Sequence, residues 1–93
     1  MILDLSPSNL ALYAGLEVQD LAGKPTLLTP PGSAIPVMAA NLARMEVDSD
    51  EVVLTGGMAI WAYLVVFHFL HGKVQRIYYE DGRGLRVLVA AHG

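Results

Sequence analysis

The sequence predicts one α+β domain over residues 1–93, with a central sheet of about four or five strands and two helices. Three observations predict it. Ninety-three residues suffice for one hydrophobic core and leave no room for a second module. Val52-Val53-Leu54 is a continuous apolar run that passes through Thr55-Gly56-Gly57 into a longer apolar segment ending at His71. Strand, glycine turn and helix in that order make half of a crossover unit. Beyond Gly72, residues 74–79 and 85–91 read as two strands joined by the tight turn Asp81-Gly82-Arg83.

Each element follows in chain order. Leu10, Leu12, Ala14, Leu16 and Val18 alternate with Ala11, Tyr13, Gly15 and Glu17, a period of two that predicts a strand over 9–18, paired with Ile2 to Leu5. Gly23-Lys24-Pro25 and Pro30-Pro31-Gly32 punctuate turns around Thr26-Leu27-Leu28, which is too short to assign. Ser33 is placed to cap a helix in which Ile35, Met38, Leu42 and Met45 recur at helical spacing, so a helix is expected to about Arg44, with Pro36 in its first turn. Val52 to Leu54 reads as a strand buried on both faces. The run from Met58 to Leu70 is broken only by His68 and falls short of the roughly twenty residues a membrane span needs, so it predicts a buried helix. No internal repeat, linker or low-complexity segment interrupts this order.

Composition narrows the function. The chain is 54% hydrophobic and 16% charged, with a mean hydropathy of +0.45, which is high for this length and predicts that a second subunit covers part of the surface. Having no cysteine, it has neither disulfides nor thiolate metal sites, which fits a reducing compartment. Asp4 stands where a signal peptide needs a basic flank, so a cytoplasmic location is expected. The formal charge of −3 hides a basic cluster of Lys73, Arg76, Arg83 and Arg86, set against Glu80 and Asp81, and an acidic approach through Glu46, Asp48, Asp50 and Glu51. A basic patch on an acidic chain argues against duplex nucleic acid and for a small anionic ligand.

Each candidate residue has a functional and a plain assignment. Gly56-Gly57 can offer backbone amides and a helix start to a phosphate, although it lacks the spacing of the common nucleotide motifs. His68 and His71 stand three apart and are a candidate metal pair. The plain alternative makes one a core histidine and the other a group closing the helix C-terminus. Asp81 and Arg83 also satisfy turn chemistry. Trp61 and Tyr63 read as core, and Tyr78-Tyr79 as strand residues able to stack on a base.

Residues 52 to 92 bear a resemblance. Ile60-Trp61-Ala62-Tyr63 in a long apolar helix, His68 and His71 at its end, Asp81 and Arg83 after a strand, and His92 closing the last strand are similar to the small CRISPR-associated ring nucleases. The resemblance implies a ferredoxin-like or distantly CARF-like fold and manganese-dependent linearisation of cyclic tetraadenylate, the messenger of type III CRISPR immunity. It also implies dimers that assemble further around the ligand. By position it implies metal-assisted cleavage at His71 and Asp81 and a phosphate contact at Arg83. Thr55, Gly56, Gly57, Tyr79 and His92 complete the expected ligand surface. The chain departs from the family at Gly57-Met58-Ala59, where a basic residue and a proline are usual, and at Gly82-Arg83-Gly84-Leu85.

The chemistry can be stated from the residues. An RNA phosphodiester carries its nucleophile in the neighbouring 2′-hydroxyl, so cleavage needs in-line positioning, charge neutralisation and proton transfer. Arg83 suits the second task. His71 can take a proton or hold a metal beside Asp81, and the sequence leaves both roles open. Carboxylates without cysteine favour a hard ion, manganese or magnesium, over zinc. A module that binds the same messenger without cutting it, or a plain dimerisation domain, are the competing expectations.

Overall fold

The computed structural model describes residues 1–47 and 49–92. Its elements run β1 (Ile2–Asp4), β2 (Val18–Leu21), β3 (Lys24–Leu27), α1 (Pro31–Arg44), β4 (Glu51–Thr55), α2 (Ile60–Leu70), β5 (Arg76–Glu80) and β6 (Arg86–Ala91). Four strands form a mixed sheet in the order β1-β4-β5-β6, and β2 and β3 form a separate hairpin. β1, β4 and β5 are parallel, whereas β6 returns antiparallel to β5 with a register shift at Ile77/Tyr78. The result is the α+β domain expected, two helices on a four-stranded sheet. It shares the two-layer arrangement of ferredoxin-like folds but has three parallel neighbours.

Sequence explains why both helices lie on one face. α1 carries the chain from β1 to β4 and α2 from β4 to β5, two crossovers that step the same way along the sheet, and right-handed connections then place both helices on the same side. Alternate strand residues Leu3, Leu5, Val52, Leu54 and Ile77 pack there against Ala34, Met38, Leu42, Ala62, Val66 and Leu70 in one buried cluster. Intervening strand residues face away from the helices. They include a row in cross-strand register, Ile2, Val53, Tyr78 and Leu88, whose outer members Ile2 and Leu88 are 61% and 54% exposed. Among the described residues no helix is long and apolar enough to cross a membrane.

Several expectations are corrected. Residues 9–17 are not a strand, and only Val18 of the expected segment enters one, β2, because side-chain hydrogen bonds satisfy the backbone there. Asn9 Oδ1 accepts from the Leu12 amide at 3.1 Å, the Tyr13 amide donates to the Asn9 carbonyl at 3.2 Å, and the buried Asn41 on α1 donates to the carbonyls of Leu12 and Ala14. Leu12 and Tyr13 are adjacent yet both buried, which no strand permits on one face. β1 therefore pairs not with that segment but with β4, from which it is separated by most of the first half of the chain. Thr26 and Leu27 fall in β3, joined to β2 by Ala22 and Gly23, both at positive φ as a type I′ turn requires. α1 starts two residues before Ser33, with Pro31 at its first position and Pro30 as an N-cap that offers no side-chain bond, so Pro36 lies in the second turn.

Candidate functional site

Two groups of site residues form at opposite ends of the parallel strands. The first gathers where β1, β4 and β5 end. Thr55 closes β4, and its hydroxyl donates to the Glu80 carbonyl at 2.8 Å, so it locks β4 to β5 and its proton is spent. Gly56 follows at φ +103°, and a Cβ there would lie 2.1 Å from Asp4 Oδ1 and 2.8 Å from the Ser6 amide. Only glycine fits. Gly57 has open space around its Cα, so its lack of a side chain leaves the turn approachable. Tyr63 reaches back from α2 and donates to the Gly56 carbonyl at 2.5 Å, with its ring edge-on to Tyr79 at 5.6 Å. Burial, aided by Tyr79 and Asp4, pushes the Tyr63 phenol up to about 12.

The turn at Gly57-Met58-Ala59 separates two clefts. One, of about 410 Å³, lies between this turn and the proline-rich chain entering α1, with Trp61 in its wall. The starts of both helices border it. Among the described residues neither start has a side-chain cap or an acid in its first turn, so two uncompensated positive dipole ends lie at its border. The other cleft, of about 400 Å³, runs along α2 beside Tyr63, Tyr79 and Val89. Trp61 and Tyr63 stand two apart on α2 and so point to opposite sides of it. Neither is simple core: both are half-buried, each lining its own cleft.

Across β5, the hairpin loop brings Asp81 and Arg83 to this end. The Asp81 carboxylate accepts from the amides of Arg83 at 2.8 Å and Leu85 at 3.0 Å, and Gly84 at φ +85° completes a three-residue loop rather than a two-residue turn. Asp81 thus builds the loop. Among the described residues Arg83 is held only by a 3.8 Å contact to Asp81, and its side chain is 92% exposed, which leaves the guanidinium accessible to an outside partner. Asp4 adds a carboxylate beside the glycine turn. Its carboxylate is turned onto the Ser6 amide at 2.8 Å and the Ser6 hydroxyl at 3.1 Å. In the sequence Asp4 marks only a poor flank for a signal peptide, since its place at this turn depends on β1 pairing with β4.

The second group lies at the far end. His71 is the C-cap of α2, with extended backbone, so it does not share a helical face with His68, which is exposed on α2. Instead, its Nε2 faces the Nε2 of His92 at 2.9 Å, ring centroids 4.4 Å apart, because the His92 amide donates to the Gln75 carbonyl at 2.6 Å and pins the end of β6 beside the α2–β5 turn. The two nitrogens either share one proton as donor and acceptor or turn both lone pairs to one cation. A bite of 2.9 Å at bond lengths of about 2.1 Å subtends about 90°, which matches neighbouring positions of an octahedral ion. Two imidazoles suit a transition metal and do not suit magnesium. Among the described residues no cluster of three or more His, Cys, Asp or Glu forms. One chain does not bring His71 to Asp81: from Arg76 to Asp81 the chain advances about 17 Å at ~3.3 Å per residue.

No family model, curated protein or solved structure matches this chain.

Proposed function

We propose that the protein binds cyclic tetraadenylate at the carboxyl ends of β4 and β5 and linearises it with the help of a metal ion, a ring-nuclease role in type III CRISPR immunity. One observation carries the reading: an open glycine turn at Gly57 lies between two aromatic-walled clefts, at the same end of the sheet as the exposed Arg83 and at the strand ends where parallel sheets bind ligands. A phosphodiester set over the turn meets backbone amides, and neighbouring bases meet Trp61 and Tyr79. Arg83 neutralises the phosphate oxygens. The 2′-hydroxyl attacks the adjacent phosphorus in line, its proton passing to a base and the 5′-oxygen leaving with a proton.

His71 and His92 are the groups able to hold or move that proton, and the same pair could contribute two nitrogens to a metal ion, which would supply charge neutralisation when bound. Because β5 separates this pair from Arg83, a reaction that uses both ends draws them from different copies of the chain. That requirement agrees with a homodimer or higher assembly, and the apolar β6 edge, where Val87, Leu88 and Val89 are exposed, offers a surface for it. The competing reading is a module that binds the messenger without cutting it. It is favoured by the use of the Asp81 carboxylate in its own loop.

Incubating the protein with cyclic tetraadenylate, with and without manganese, separates these readings. Manganese-dependent linear products support the nuclease, binding with an intact ring supports the silent module, and absence of both leaves a plain dimerisation domain.

A further inference from the structure

We infer that the cleft beside Trp61 is a purine subsite, which seats one adenine of the ligand while the adjoining phosphate lies over the Gly57 turn. The inference rests on the cyclic-oligoadenylate reading and adds a residue which that reading does not assign. Three features of the cleft select a flat heteroaromatic ring. Its lining combines the flat indole of Trp61 with the stiff pyrrolidine rings of Pro25, Pro30 and Pro31. Its volume of about 410 Å³ falls at the small end of ligand pockets, too small for a folded peptide segment and sufficient for one nucleoside. Gly57 to Ala59, which also line it, form the turn that carries the open glycine, so a base in the cleft brings its ribose and phosphate towards the backbone amides.

Position on the helix gives the subsite a direction. Trp61 and Tyr63 leave α2 on opposite sides, and Met58 borders both clefts. Successive bases of one strand can therefore straddle the turn, one against Trp61 and the next against Tyr79, which is 39% exposed. Stacking on a tryptophan face binds any base, and the larger purine surface gains more than a pyrimidine from a lining of indole and pyrrolidine rings.

The chain contains one tryptophan, so its fluorescence reports this cleft alone. Cyclic tetraadenylate is titrated into the protein while Trp61 emission, its quenching by acrylamide and the heat of binding are recorded together. The inference expects emission to change at the same concentration as the heat, acrylamide quenching to fall at least twofold, and W61L to bind about tenfold more weakly, with W61F falling between. Heat with no change in Trp61 emission or quenching overturns the subsite and leaves the oligoadenylate reading standing. No heat overturns that reading and the subsite with it. The quenching arm uses the unaltered protein, so a W61L chain that fails to fold does not remove the test.

Discussion

At the residue scale the two adjacent glycines separate structure from function. Gly56 is required by its neighbours, since any side chain at φ +103° meets the Asp4 carboxylate and the Ser6 amide. Gly56→Ala is expected to cost about 2 kcal/mol or more, measured by denaturant unfolding. Gly57→Ala meets nothing, so its stability should change by no more than about 0.5 kcal/mol while binding of cyclic tetraadenylate weakens. Equal stability losses would show that the turn as a whole is structural. The sequence revealed that a glycine pair ends β4, but not which member was forced, because the forcing atoms belong to β1. Asn41 was illegible for a similar reason. It is a polar residue on the buried side of α1, and its purpose is visible only once residues 12 and 14 are found to need partners.

At the element scale, local signals were legible and long-range ones were not. β4, α2 and the β5–β6 hairpin follow from apolar runs punctuated by glycine, and β4, β5 and β6 pair in the order they occur in the chain. The segment 9–16 defeated the same logic, since a period of two also arises when hydrophobic residues are scattered through consecutive turns. On the sheet face away from the helices, Glu51 of β4 accepts from Arg76 Nε at 2.5 Å and from the Tyr78 hydroxyl at 3.1 Å, and Arg76, foremost, holds its carboxyl below the usual value of 4.5. A carboxyl whose pKa is lowered by folding adds stability above pH 4.5, and that stability is lost as pH falls through the lowered value. Glu51→Gln should therefore be less stable than the parent at pH 7, and the gap should close on acidification, followed by thermal unfolding from pH 7 to pH 3. A gap independent of pH would assign the effect to packing or to the Tyr78 hydrogen bond alone.

At the scale of the whole molecule, the site residues legible in the sequence proved to be members of two places. Sequence order sets His71 and Asp81 ten positions apart, yet β5 lies between them, so their separation is a property of the sheet. Arg83→Ala and His71→Ala should each abolish linearisation, and a mixture of the two should regain part of it if each copy lends one end. A mixture as inactive as its components would place the reaction within a single chain. The same topology governs how the molecule assembles. β4, α2, β5 and β6 join strands that are close along the chain, whereas pairing β1 with β4, Ile2 opposite Val53, closes a loop of about fifty residues and pays a larger entropy for it. Assembly should therefore begin in the second half, with the N-terminal strand docking last. Ile77→Ala is expected to slow refolding, while Leu3→Ala leaves refolding nearly unchanged and speeds unfolding, as read from the two limbs of a stopped-flow chevron. Docking β1 brings Asp4 against Gly56, so the glycine turn at the heart of the proposed ligand surface acquires its final shape only in the last step of folding.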